Sequence, residues 1–476
     1  MKPSLFFILI IGLLSACNLS TGKKQGALLP VLLSDSTRQA TCVSLTSDEK
    51  NQPVISWCET DRNTKEKKFY LAFFDESRKT FTDRISIPIE QNVNLHEEGM
   101  PKIAVRGNGA ILAVYETSAP TDSNNFAGFV RYIVSTDKGR TWTQPASLHA
   151  NTTAGTSHSF AVITRLSDGE IGACWLDQSV DRKVAGRPVK FAKTNQENRF
   201  TNELTIDSIA CQCCRIAMGS NANGKIYVAF RDILNGSIRD MSVSISDDNG
   251  KSFRPALPFS HDGWEINGCP HNGPSVAAGD NAAYAAWFTG GRTQGVYYCE
   301  LNKDNLAINK QLVSEQGRFV QLCLLSNGTP ALAYSESIQD GNEVYSRIVL
   351  NKMEQGKVFE RAIETGKTMA AYPVIRSFGE RGLLVAWKSD EKIYYTIASA
   401  ADISTAIQRP SPKELPVAKG LSSIKLAGST DLVCGMPLSL SPGDTTLFQQ
   451  RVHGFCSQTC KEKFLQNPEA YLSKRK

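Results

Sequence analysis

Seven short apolar stretches, each carrying an aromatic or a phenylalanine-like position near its end and a polar residue soon after, recur along the chain. They read VISWCE, ILAVYE, IGACWLD, IYVAFRD, AYAAWF, ALAYSE and LLVAWKS. Aligned on Trp57, Tyr115, Trp175, Phe230, Trp287, Tyr334 and Trp387, they repeat at intervals of 58, 60, 55, 57, 47 and 53 residues. Turns such as RGNG, LSDGE, NANGK and LSNGT precede them, with Gly and Asn supplying the positive φ of a tight hairpin. Before each turn lies another short apolar run, for example KIAV, FAVIT or SVAA. After the repeat segments comes a third strand-like run: FYLAFF, VRYIVS, MSVSIS, GVYYCE, VYSRIV and IYYTIA. Strands at this spacing, with almost no helical periodicity, predict an all-β meander. A period of 47 to 60 residues predicts one four-stranded blade per unit. The fold expected is a β-propeller of seven blades, or six if the first unit is irregular.

The two ends of the chain break this pattern. MKPSLFFILIIGLLSAC has one Lys, a short apolar run and small residues before Cys17, the order of parts in a secretory signal. The run is too short to span a bilayer. LLSAC resembles a bacterial lipobox, which implies lipid on Cys17 and a bacterial cell-envelope location, periplasmic or on the outer membrane. An ordinary signal peptide with a chance Cys is the alternative. The expected divisions are a signal over residues 1–17, a polar tether over 18–40, the propeller over 41–408, a Pro- and Lys-rich linker over 409–428 and a small domain over 429–476. The net charge of +6 is too small and too dispersed to argue for nucleic acid as a partner.

Two octapeptides after third strands refine the fold. STDKGRTW, Ser135 to Trp142, and SDDNGKSF, Ser246 to Phe253, fit Ser-x-Asp-x-Gly-x-Thr/Ser-aromatic. They resemble the Asp-box, or BNR repeat, of sialidase-like propellers. In this reading Asp137 and Asp247 bond backbone amides, Gly139 and Gly250 take positive φ, and Trp142 and Phe253 pack beneath. The box identifies architecture, not activity. Sialidases use an arginine cluster and a Tyr–Glu nucleophile pair, and their first Arg sits in a Phe/Tyr-Arg-x-Pro motif. Here the comparable stretch is EGMPKIAV, and Met100 stands where that Arg would be. Tyr372, Arg215, Arg231 and Asp232 are the catalytic candidates that the resemblance leaves, and enzymatic activity stays undecided.

Cysteine placement raises a different chemistry. The loops before successive inner strands share one face of a meander. NLHEEGMP carries His96, Glu97 and Glu98; TSHSF carries His158; CQCCR carries Cys211, Cys213 and Cys214; GCPHNGP carries Cys269 and His271. His96, His158, Cys214 and His271 lie 15, 13, 12 and 12 positions before the following repeat segment. Second-strand ends add Glu59, Glu116, Asp177, Asp232 and Glu336 to that face. Thiolate with imidazole suits zinc or copper. A disulfide between neighbouring loops, such as Cys211 or Cys214 to Cys269, is the competing reading in an oxidising compartment. A catalytic or redox thiol is a third. Cys42 and Cys58 flank the first hairpin and are candidates for a disulfide, whereas Cys174, Cys299 and Cys323 read as core residues.

The last segment, from DLVCGM to NPEAYL, is similar to the YHS (TRASH-like) metal-binding module. Cys434, Cys456 and Cys460, with flanking Gly435-Met436, Phe455, Ser457 and Phe464, carry the likeness, which implies a small α+β fold and three thiolate ligands. His453 could complete the set. A module this short buries little core, so bound metal would supply stability. The expected function is an exported, lipid-anchored propeller that binds copper or zinc, working with the membrane through its anchor and with metal-handling proteins or a glycan as partners. The alternatives are an exo-glycosidase of sialidase type and a non-catalytic scaffold for glycan or protein.

Overall fold

The computed structural model describes residues 26–179, 186–266, 268, 270–302, 307–341, 343–407, 426–433, 438, 444–449, 451–455 and 458–472. Cys17, Cys269, Cys434 and Cys456 lie outside them. Seven antiparallel sheets follow one another along the chain, one per sequence unit, and form a seven-bladed propeller. Their inner strands are Gln39–Ser47, Lys102–Val105, Ser159–Arg165, Ala217–Ser220, Ser275–Ala278, Gly317–Leu324 and Ala371–Phe378.

The repeated aromatic explains the blade spacing. Trp57, Tyr115, Trp175, Phe230, Trp287, Tyr334 and Trp387 are all 1% exposed or less. Each sits in a core shared with the preceding blade. Trp175 packs among Val114, Val130 and Tyr132 of blade two, and Trp387 among Ala331, Ile348 and Leu350 of blade six. Trp57 of the first blade packs against Val374, Leu384 and Tyr395 of the last. One large, fully buried ring recurs at each interface and helps hold the blades face to face.

Ring closure uses the N-terminus. Val31–Leu32 pairs with Lys392–Ser399 and completes blade seven from outside. Leu28 is buried with the core of blades six and seven. The propeller therefore begins before residue 41, and the stretch expected as a tether supplies one of its strands. After blade seven, Thr405–Ile407 returns to the edge of blade six, beside Lys357–Ala362.

Both Asp-boxes form at the hairpins between third and fourth strands. Asp137 accepts from Ser135 Oγ at 2.8 Å and from the Thr141 amide at 2.9 Å, and Trp142 Nε1 donates to the Gly139 carbonyl. In the second box the acceptor is Asp248, not Asp247. Asp248 takes Ser246 Oγ, the Lys251 and Ser252 amides and Ser252 Oγ. Asp247, one position earlier, points outward to Lys225 and Arg254. The motif's third position governs, since only that side chain folds back over its own turn. Asp75 and Asn195 cap the equivalent turns of blades one and three in the same way.

Cys42 and Cys58 are buried, neighbouring thiols and not a disulfide. Cys174, Cys299 and Cys323 lie in blade cores. In the C-terminal segment, the hairpin Asp444–Phe448 and Arg451–Phe455 is followed by the helix Gln458–Gln466. Phe455, Cys460 and Phe464 form its buried centre, with the His453 ring 5.3 Å from Phe464.

Candidate functional site at the channel mouth

Register fixes which residues ring the mouth. Ser44, Lys102, Val162, Ala217, Ser275, Gln321 and Val374 each pair with the residue just before a repeat aromatic. Two positions earlier stand Cys42, Met100, Phe160, Arg215, Gly273, Phe319 and Tyr372. Four of these, Cys42, Phe160, Phe319 and Tyr372, have φ between 52° and 59°. Non-glycine residues reach that region at some cost. All four sit where the inner strand's register slips, so one bulge recurs in blades one, three, six and seven. Four positions before the pairing residue come Glu98, His158, Cys213 and His271 in blades two to five.

The blade-two loop crosses the mouth. Glu98 is 1% exposed. Its Oε1 accepts Arg215 Nη1 at 2.6 Å, and its Oε2 accepts the Arg215 amide at 3.1 Å and the Gly273 amide at 2.9 Å. Arg215 Nη2 then donates to the Val320 carbonyl of blade six at 2.8 Å. Gly273 is obligatory here, because a Cβ would lie 2.3 Å from Arg215 Cγ. Glu97 turns the other way, accepting the Cys42 amide at 3.1 Å and pairing with Lys388 at 3.2 Å. His96 packs between Phe160 and His271, with ring centroids 5.8 and 5.1 Å away. Two adjacent carboxylates thus tie blade two to blades one, four, five and seven.

Beside this loop the three cysteines of CQCC meet. Cys211, Cys213 and Cys214 are buried, and their sulfurs lie within 4.8 Å of one another. Cys211 Sγ and Cys213 Sγ are 3.6 Å apart. Ile233 and Phe160 wall the cluster. Burial raises the Cys214 thiol, and its hydrogen bond with Cys211 adds to that. The Cys214 thiol is therefore held in its protonated form.

Of the other expected ligands, His158 goes elsewhere and Cys269 lies outside the described residues. His158 stacks on His149 at 3.6 Å between ring centroids and pairs with Asp177, which also binds Lys190 at 2.9 Å. It belongs to the junction of blades two and three and is not part of the thiol group, because its imidazole turns to the carboxylate at the end of its own blade's second strand. His158 Nε2 lies 3.1 Å from Thr156 Oγ1, and that hydroxyl donates to the Thr153 carbonyl. Arg231, a catalytic candidate, is 1% exposed. It donates to the carbonyls of Arg239, Asn272 and Phe288, with its guanidinium 4.7 Å from the Trp264 ring. Asp232 accepts Ser242 Oγ at 2.6 Å. Tyr372 does stand at the mouth, 4.1 Å from the Phe319 ring. The second-strand acids mostly face the blade interfaces. Glu59 accepts Trp57 Nε1, and Glu336 accepts Ser314 Oγ and Arg347.

Residues 70–346 match the model of the BNR repeat-like domain. The chain belongs to that family. The BNR match spans blades one to six and fits the two Asp-boxes. Among solved structures, the NanB sialidase of Streptococcus pneumoniae (K499G mutant) is similar at 10% identity and a TM-score of 0.47, covering 79% of this chain and 71% of that one. A polysaccharide lyase described as a PL25 ulvan lyase is similar at 12% identity and a TM-score of 0.49, covering 81% and 97%. A protein of unknown function from Dyadobacter fermentans is similar at 12% identity and a TM-score of 0.45, covering 68% and 98%. No curated protein matches.

Two buried histidines, His96 at the mouth and His149 at the junction of blades two and three, give the protein an expected acid response. Burial first, then the neighbouring imidazole, lowers His96 and His149 from 6.5 to about 4. Their folded pKa values lie below the unfolded one, so their contribution is complete above pH 6.5 and is lost as pH falls toward 4. Burial raises Glu116 from 4.5 to about 7, which acts in the opposite sense over that window. Two groups outweigh one, so melting temperature should fall between pH 6.5 and 4. Melts across that range should show a shallower fall in His149→Gln.

Proposed function

We propose that this protein is an exported, lipid-anchored BNR propeller that binds one soft metal ion, zinc or copper, at Cys211, Cys213 and Cys214. The observation that carries the reading is the 3.6 Å separation of two of these sulfurs inside a buried three-sulfur group. Two thiolates at about 2.3 Å from one tetrahedral metal stand about 3.8 Å apart. A disulfide needs about 2.05 Å between sulfurs. The spacing suits the first arrangement without movement of the backbone. Cys269 and His271, in the neighbouring loop of blade five, are the candidates to complete the set.

The C-terminal segment extends the same chemistry. Cys460 is buried beside Phe455 and Phe464, at the first turn of a helix. Together with Cys434 and Cys456 it would supply a second thiolate site of the YHS type. Anchoring rests on Cys17. Cys17→Ser should move the protein from the membrane fraction to the soluble one or block its processing, and unchanged membrane association would remove the lipid.

The test of the metal reading is elemental analysis of anaerobically purified protein, followed by zinc and copper(I) titration. About one equivalent should bind at the propeller and be lost in a Cys211→Ser/Cys213→Ser/Cys214→Ser variant. Binding should release protons and weaken as pH falls, because the metal takes thiolates. A wild-type protein that binds neither metal would end this reading. Tyr372, standing at the mouth of a BNR propeller, supports a second one, glycoside cleavage. Release of nitrophenol from aryl glycosides by the metal-free protein, abolished in Tyr372→Phe, would transfer the assignment to it.

A further inference from the structure

Behind the mouth, a cavity of about 490 Å³ runs along the inner strands of the blades. Its lining holds four cationic side chains, Lys102, Arg165, Arg215 and Arg376, and no carboxylate. Near the mouth the charges are answered. Arg215 pairs with Glu98, and Lys102 donates to the Ala161 carbonyl within reach of the Glu116 charge. At the far end they are not.

Arg165 ends the inner strand of blade three, and Arg376 lies in that of blade seven. Both reach the same hairpin of blade one. Arg376 Nε donates to Ser47 Oγ at 2.8 Å. Arg165 donates from Nη1 to the Asp48 carbonyl and from Nη2 to Asn51 Oδ1, each at 2.6 Å. Among the described residues neither guanidinium has a carboxylate within ion-pair distance, and neither terminal nitrogen of Arg376 has a protein acceptor. The Asp48 carboxylate is occupied by the amides of Lys50 and Gln52. Asp48 and Glu49 act on Arg165 through space without contact. Burial holds the Arg376 guanidinium below its ordinary value, and the Arg165 charge pushes the same way.

Two like charges drawn onto one turn inside a channel repel each other, and burial adds a desolvation cost. A fold keeps such a pair cheaply only when a counter-charge joins them. Guanidinium groups present paired N–H donors whose spacing matches the oxygens of phosphate or sulfate. The cavity has room for such an ion with part of its water.

We propose that the far end of the channel is an anion site, in which Arg376 and Arg165, both held by the Ser47–Asn51 hairpin, bind a small tetrahedral oxyanion of the phosphate or sulfate class. The site lies across the propeller from the cysteines and is independent of the metal reading.

Calorimetric titration of the full, metal-stripped chain with inorganic phosphate tests it, with sulfate as a second probe and chloride at matched ionic strength as the control. Saturable binding of about one phosphate is expected, with sulfate competing and chloride without effect. Arg376→Met should weaken phosphate binding about tenfold or more, since a charge-assisted contact is lost. Arg376→Lys should keep part of it. Arg165→Gln should also weaken it, and that variant decides the matter if Arg376→Met fails to fold. Cys213→Ser should bind phosphate as wild type does, which separates this site from the thiol cluster. No saturable binding, an equal response to chloride, or unaltered affinity in both folded arginine variants would overturn the proposal.

Discussion

Glu98→Ala should lower the free energy of unfolding by about 3–5 kcal/mol, the usual result of stranding a buried charge. The loss follows from what Glu98 holds. Its carboxylate is the anchor for the Arg215 guanidinium, the Arg215 amide and the Gly273 amide. Removing it leaves Arg215 Nη1 and two amides without acceptors, and the guanidinium without a counter-charge, in a place that water reaches poorly. Glu98→Gln should cost less, because an amide oxygen still accepts from both backbone groups, though the Coulomb attraction is gone. Urea unfolding of the two variants beside wild type gives the comparison. A loss below about 1 kcal/mol for Glu98→Ala, the level of an exposed ion pair, would mean that water already shares the site.

Metal should change stability on the same scale. At free zinc about a thousandfold above Kd, a folded-state site contributes about 4 kcal/mol. The three thiols come from one loop that enters blade four, and Cys211 N also bonds the Arg231 carbonyl at the end of that blade's second strand. Locking the loop with a metal would steady the junction of blades four and five, which Arg231 spans through the Asn272 and Phe288 carbonyls. Cys213→Ser should remove most of the zinc-dependent rise in melting temperature while leaving the apo protein's melting temperature little changed, because serine is a near-isosteric replacement. Melts with zinc and with chelator, on both proteins, measure the effect. An undiminished zinc response in Cys213→Ser would place the bound ion elsewhere.

The propeller was legible because one constraint repeats seven times. Every blade must bury a ring against its neighbour, and that demand leaves an aromatic at a near-constant spacing in the sequence. The face of each loop was legible too, since alternation of strand direction follows from hairpin connections alone. Side-chain direction was not. His158 and Cys213 occupy equivalent register positions, yet one turns to Asp177 and the other joins its own loop's thiols. The difference lies in what each neighbouring blade offers, which a linear pattern does not record. Arg231 and Arg215 looked alike as central arginines, and both are taken up by carbonyls of other blades. The far-end pair, Arg165 and Arg376, gave no motif at all. Their meeting depends on ring closure, which brings together residues that are distant in sequence. The edge strand near residue 31 was hidden by its brevity, as only Val31 and Leu32 pair.

That short strand sets the order of assembly. Val31 faces Tyr395 across the seam, so the first strand of the propeller waits for nearly the last before the ring is complete. Loop-closure entropy grows only with the logarithm of length, so the delay is a matter of sequence order more than of energy. A chain that emerges N-terminus first would hold six blades with an open side until its last blade arrives. During that interval the apolar face of blade one around Trp57 is uncovered and the edge of blade six lacks Thr405–Ile407, and both are open to another chain. A truncation just before residue 371 would make the interval permanent, and such a fragment should self-associate where the full chain stays dispersed.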